Sequence, residues 1–166
     1  MIIILINNER LIYDKFEFKC SIGIAGKARD KKEGDKKTPK GTFDLGPLFY
    51  RSDRNKKPET KLKCIKIKRN MVWCDDPSSK KNYNKLIKIK KKTKLNHEKL
   101  FKKNSSYDFL IPINYNTKKR KLGKGSAIFI HLTRDYKKTL GCVALKKNDF
   151  LILAKIINRK TKIKIS

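Results

Sequence analysis

The chain has 166 residues, enough to bury a real core and few enough to expect one domain over residues 1–166. Its 45 Lys and Arg against 15 Asp and Glu leave a net charge of +30, and 36% of all residues are charged. Most of the excess is Lys, with Arg scattered singly, which argues against specific nucleic-acid recognition and for salt-dependent, non-specific attraction to polyanions.

In chain order, Ile2–Ile6 is an apolar run too short to cross a membrane. It is also shorter than a signal-peptide core and has no basic region before it, so it reads as a first strand with a turn at Asn7-Asn8. Leu11–Tyr13 and the alternating Phe16–Ile24 are the next strands. Gly23, Gly26, Gly34, Gly41 and Gly46 then divide the chain into turns, with TPKG (Thr38–Gly41) opening a short strand over Thr42–Leu45. Leu62–Lys68 alternates as a strand with one buried face, and Lys85–Lys94 suits a lysine-guarded edge strand. His97–Lys102 predicts a single helical turn with an exposed, idle His97. Tyr107–Asn114 and Ser126–His131 are the most apolar strands. A helix follows, with Asn148 as N-cap, Asp149 in the first turn and FLILAKII as its apolar face, before a last strand, TKIKIS. The expected class is mainly β with one C-terminal helix and minor helical turns.

Among the four cysteines no two form a C-x-x-C pair, and no His stands at zinc-ligand spacing, so neither a metal nor another cofactor is expected. A disulfide among Cys20, Cys64 and Cys74 stays open, with Cys74 also readable as a buried spectator. The fourth, Cys142, lies in HLTRDYKKTLGCVAL (His131–Leu145). A catalytic thiol needs a base, partial exposure and donors for the oxyanion it creates. His131, at a strand tip, is the candidate base, and Gly141 lets the backbone turn tightly so that amide N–H groups can face a carbonyl. The bland alternative is an inert Cys and a surface His.

This segment resembles the active-site signature of the L,D-transpeptidases of the YkuD-like family, in which a His precedes an S/T-x-G-C element; here His131 precedes Thr139, Leu140, Gly141 and Cys142. More particularly, it resembles the branch ending GCVAL, present as Gly141–Leu145. Gly23–Arg54 resembles that branch's glycine-turn, EGD and TPxG segment, Met71–Lys85 its WCDDP…YN segment, and Gly123–His131 its strand into the His, so the likeness spans about residues 20–158.

The resemblance implies a β-sandwich or open-barrel domain that transfers acyl groups between peptidoglycan stem peptides, donor and acceptor. In it Cys142 is the nucleophile, His131 the base held by a neighbouring backbone carbonyl, and the amides of Gly141 and Cys142 the oxyanion donors. Arg134 and Thr139 are candidate donor contacts. Trp73, Asp75, Asp76, Tyr83 and Asn84 form a candidate substrate wall, whose rival reading is a turn at DDP with Trp73 in the core. Glu33, Lys36 and Lys37 are expected on the loop surface. Water as acceptor would make the same site an L,D-carboxypeptidase, and a basic polyanion-binding module with a silent Cys is the third reading.

Two departures stand out. Leu140 and Ala144 occupy positions where many members carry His and Arg, which leaves the donor carboxylate without its usual partner: either Arg134 or an upstream Arg substitutes, or the donor differs from the common tetrapeptide. The family implies the cell envelope or periplasm, whereas the absence of an export signal in this sequence implies the cytoplasm if Met1 is the true start.

Overall fold

A computed structural model describes residues 1–90 and 93–166. The β-branched and aromatic runs form strands wherever Gly, Asn or Asp punctuates them. β1 (Ile2–Leu5), β2 (Arg10–Tyr13) and β3 (Phe16–Ser21) make a meander, with Asp14 at φ 53° supplying the tight β2–β3 turn. Phe16–Ile24 therefore ends three residues early as a strand, and Gly23 makes only an isolated bridge to Thr139. The short β4 (Lys27–Ala28) and β5 (Thr38–Pro39) pair in parallel and frame the loop between them, so the TPKG turn is partly strand. β6 (Gly41–Asp44), β7 (Leu48–Tyr50) and β8 (Cys64–Lys66) follow.

β9 (Met71–Cys74) pairs with β10 (Lys85–Lys88) on one side and β11 (His97–Lys99) on the other. The expected edge strand over Lys85–Lys94 is thus confined to its first four residues; its Lys91 and Lys92 lie outside the described residues. The helical turn expected at His97–Lys102 is a strand instead. His97 faces Cys74 and Glu98 faces Trp73, because β9 offers an apolar strand with a free edge and pairing there outweighs weak local propensity. His97 is half-buried, with Nδ1 2.7 Å from the Leu95 carbonyl. A 3-10 turn (Ser105–Tyr107) leads into β12 (Phe109–Pro112), and β13 (Phe129–Leu132), β14 (Val143–Leu145), α1 (Lys147–Ile156) and β15 (Lys162–Ile165) complete the chain.

Ten strands form one open, curled sheet in the order β6-β15-β1-β2-β3-β14-β13-β12-β7-β8. Period-two alternation gives its centre two apolar faces. Phe109, Ile111, Ile130, Leu132, Val143 and Leu145 point to one side, where Phe150, Leu153 and Ala154 of α1 pack on them. Leu110 and Phe129 point to the other side, against Trp73 and Met71 of β9, Leu100 and Tyr107, with half-buried Cys142 at the margin. The sheet is therefore covered by a helix behind and by the β9 sheet in front. The helix begins one residue before Asn148: Lys146 is its N-cap, without a side-chain bond, because β14 runs directly into it and its first turn is held by Phe150 N–H donating to the Lys146 carbonyl. Asp149 does stand in that first turn. All four cysteines are free thiols, so the disulfide left open for Cys20, Cys64 and Cys74 is not formed; Cys20 and Cys74 are buried.

Candidate functional site

β13 and β14 run in parallel, with His131 opposite Ala144 and Ile130 opposite Val143. Cys142 lies two residues before Ala144, so alternation places its side chain on the same face as those of His131 and Phe129. That face looks into a cleft of about 900 Å³ to which both Cys142 and His131 contribute.

The loop carrying Cys142 is held from several directions. Gly141 has φ 136°, and a Cβ there would lie 2.9 Å from the Lys37 carbonyl oxygen, so this position demands glycine. Thr139 Oγ1 accepts from the Gly141 N–H (3.1 Å) and donates to the Cys142 carbonyl (2.6 Å). Thr139 also exchanges backbone bonds with the end of the first meander: its N–H donates to Ile22 and its carbonyl accepts from Ile24. The Gly141 amide, expected to face an oxyanion, is thus occupied by Thr139. The glycine serves the turn, and Thr139, although it borders the cleft, uses its hydroxyl to staple that turn.

The thiol accepts from the Phe129 N–H (3.3 Å) and donates to the Ala127 carbonyl (3.4 Å). His131 Nδ1 is 2.9 Å from the carbonyl of Leu132, the next residue. A carbonyl only accepts, so Nδ1 carries the proton and the neutral ring keeps Nε2 as its basic nitrogen. Tyr107 meets the imidazole edge-on with centroids 5.3 Å apart. Burial pushes the Cys142 thiol up to about 12, with the Phe129 N–H opposing it. Burial likewise drives His131 down to about 4, against the raising effect of the Leu132 carbonyl. At neutral pH the resting pair is therefore a neutral thiol and a neutral imidazole, and proton transfer belongs to the attack step rather than to an ion pair formed in advance.

The His131 shift fixes a sign. A histidine that is harder to protonate folded than unfolded makes the unfolded chain bind more protons between about 4 and its ordinary 6.5. Its contribution to stability is fully present above pH 6.5 and is lost as pH falls towards 4. Chemical denaturation of the wild type and of His131→Gln from pH 4 to 7.5 should show a steeper acid loss in the wild type; parallel curves would contradict the assignment.

In a chain so rich in lysine, the cleft is notable for its acids. Glu33, Asp75, Glu98 and Asp135 line it against five cations, among them Lys31, Lys102 and Arg134. Asp75 Oδ1 is buried without a hydrogen-bond partner, and burial first, then Glu33 and Glu98, raise its carboxyl above the usual range. Arg134 is exposed at the rim, its Nε donating to Ser105 Oγ at 3.2 Å. Leu140 is 76% exposed at the lip, while Ala144 is buried beneath it.

Of the expected substrate wall, Asp75 borders the cleft; Trp73, Asp76, Tyr83 and Asn84 stand behind it. Trp73 is in the core, with its indole N–H donating to Asn84 Oδ1 (2.8 Å). Asp76 accepts from the Ser78 and Asn96 N–H groups and closes the DDP turn. Tyr83 is fully buried, and its hydroxyl donates to Glu33 (2.5 Å) and accepts from the Gly125 N–H (3.1 Å). Glu33, expected on the loop surface, is the other half of that arrangement, and Ser126 Oγ also donates to it (2.7 Å). These bonds fold the 26–37 loop over the strand leading to His131, which brings Glu33 and Lys31 into the cleft. Sequence reasoning missed both, and also missed Glu98 and Lys102. The available signal was the scarcity of acids, which makes each one in a turn worth explaining.

The sheet thus has a helix behind it and a cleft in front, with Cys142, just before β14, and His131, in the parallel β13, side by side on the cleft floor. The family model of the L,D-transpeptidase catalytic domain, YkuD, matches residues 1–165, so the chain belongs to that family of peptidoglycan-modifying enzymes. The match extends the likeness beyond residues 20–158 to the first and last strands, β1 and β15. The crystal structure of the helical cell shape determining protein Pgp2 from Campylobacter jejuni is similar at 22% identity with a TM-score of 0.48; the alignment covers 99% of this chain and 46% of that one. The chain thus spans about half the length of that protein. No curated protein matches it. Among the described residues no helix is long and apolar enough to cross a membrane, and no cluster of His, Cys, Asp and Glu is placed to hold a metal.

Proposed function

We propose that this domain is a cysteine-dependent L,D-transpeptidase that forms peptidoglycan cross-links through a thioester on Cys142. The observation that carries the reading is the parallel register of β13 and β14, which puts Cys142 and His131 on one cleft-facing side, with Nδ1 of the imidazole held by a backbone carbonyl. In the first half-reaction Sγ bonds to the donor carbonyl carbon as the thiol proton passes to His131 Nε2. The C–N bond then breaks, and His131 returns the proton to the departing D-amino acid amine. In the second half-reaction an acceptor amine attacks the thioester and gives its proton to His131; the C–S bond breaks and the thiol is restored. The Cys142 amide is the remaining candidate oxyanion donor, since Thr139 engages that of Gly141.

Arg134 is the proposed carboxylate partner, taking the role that Ala144 cannot. Asp75 and Glu33 form the proposed face for a substrate ammonium. Trp73, Asp76, Tyr83 and Asn84 support that face from behind. Residues 1–166 act as one catalytic unit, working in the cell envelope where both stem peptides are found.

The test is intact-protein mass spectrometry after incubation with purified tetrapeptide stems, with and without an acceptor amine. The expected result is a mass increase equal to the stem without its terminal D-residue, mapped to Cys142, and a cross-linked product when the acceptor is present. Release of the D-residue with water as acceptor in every case would make the domain a carboxypeptidase. No acylation at all would sink both readings.

A further inference from the structure

The backbone just before β13 takes an unusual route. Ala127 has φ 51°, a left-handed conformation that is strained for a residue with a Cβ. Its carbonyl is the acceptor for the Cys142 thiol (3.4 Å). What holds it is Asn84: Asn84 Oδ1 accepts from the Ala127 N–H (3.1 Å) and from the Trp73 indole N–H (2.8 Å). Asn84 Nδ2 donates to the carbonyls of Tyr115 (3.0 Å) and Asn116 (2.8 Å). Asn84 is 3% exposed, itself left-handed at φ 53°, and has all four side-chain hydrogen-bonding positions filled. No substrate can reach it, yet one of its four bonds ends on the residue that orients the thiol proton.

We infer that Asn84 is a positioning residue for the acyl-transfer step: by bonding the Ala127 N–H it anchors one side of a strained residue whose carbonyl orients the S–H of Cys142 and keeps the thiol protonated until His131 takes the proton. The inference rests on the proposed role of Cys142, but its consequence for the thiol does not require that role. With the Ala127 carbonyl released, the neutral thiol loses its acceptor, so the thiolate becomes easier to form and points less reliably at a bound carbonyl. Reactivity towards a small alkylating agent and activity on a peptide should then move in opposite directions.

The experiment measures iodoacetamide alkylation of the Cys142 peptide by mass spectrometry from pH 7 to 10.5, alongside thermal melts. Asn84→Gly removes the side chain and keeps the left-handed backbone accessible. It should alkylate about threefold or more faster than wild type at pH 8, the equivalent of one lost modest hydrogen bond, with the rate–pH curve displaced to lower pH. Asn84→Asp retains an acceptor for the Ala127 N–H and should alkylate no faster than wild type. Trp73→Phe removes the other donor to Oδ1, loosens the same core and should leave the curve in place. If acyl transfer is established, Asn84→Gly should lower kcat while KM for the stem changes little.

An Asn84→Gly curve superposed on wild type, with only a lowered melting temperature, would reduce Asn84 to a structural residue and overturn the inference. So would an equal displacement in Trp73→Phe. Failure of the peptide assay with a displaced alkylation curve would count against the proposed function and leave the positioning role standing.

Discussion

Cys142→Ala is expected to abolish acylation by a carbapenem-type probe, a loss on the order of a thousandfold or more in rate, because no other group on that face can form the thioester. Cys20→Ala, Cys64→Ala and Cys74→Ala should each label as wild type does. Cys20 and Cys74 are buried at 1% and 0% exposure, and burial pushes the Cys20 thiol up to about 12. Cys64 is the informative control, being half-buried like Cys142 but set near the far edge of the sheet in β8, away from the cleft. Intact-mass measurement separates these variants in one series. Undiminished labelling of Cys142→Ala would remove the nucleophile from the proposal altogether. A basic binding module with a silent Cys predicts something different: salt-sensitive binding to a polyanion that does not change in Cys142→Ala.

The second large effect is on stability. Phe129 is fully buried between two aromatic partners, meeting Trp73 edge-on at 5.2 Å and Tyr107 at 5.8 Å. Phe129→Ala should cost about 3–5 kcal/mol, the range for emptying a large core site that cannot collapse. For a domain of this size that lowers the melting temperature by roughly 10 °C or more. Phe129→Leu should recover more than half of the loss. Because the Phe129 N–H also donates to Cys142 Sγ (3.3 Å), any tilt of the strand into the cavity should also change how fast the surviving folded enzyme is acylated. Calorimetry together with the acylation rate at a temperature well below both transitions measures the two effects separately; a loss under 1 kcal/mol would show that the aromatic cluster is not what braces the cleft floor.

Much of the fold was readable where apolar alternation and turn residues agree. The meander over residues 2–21, the last strand and the helix around Phe150 are such places, because burial there is decided by near neighbours. What could not be read were strands defined by a partner far along the chain. β11 exists because β9 leaves it an edge, and β14 is three residues whose identity as a strand depends on β13 and β3. His97–Lys102 has no periodicity that would prefer strand over helical turn. In the site, Cys142 and His131 were found as candidates because each combines a reactive side chain with a local signal, a glycine for one and a strand end for the other. The wall was harder. Trp73, Tyr83 and Asn84 carry aromatic and amide groups that suit either a ligand or a buried bond, and only their distances to Glu33, Gly125 and Ala127 tell which. Glu33 lay in a loop of charged residues, and nothing local distinguishes a carboxylate aimed inward from one in water.

β15 lies between β1 and β6 in the large sheet, pairing in parallel with the first strand of the chain. During synthesis, therefore, β1 must wait with one open edge, and β6 with no partner in this sheet, until residues 162–165 have left the ribosome, and the β1–β15 pairing closes a loop from residue 5 to residue 162. Such a long closure makes folding late and slow, and the waiting edges are at risk of pairing with a neighbouring nascent chain. Once β15 is in place it is paired on both sides, with Ile163 and Ile165 buried and Lys162 and Lys164 exposed, and the free edge of the sheet passes to the short, four-residue β6.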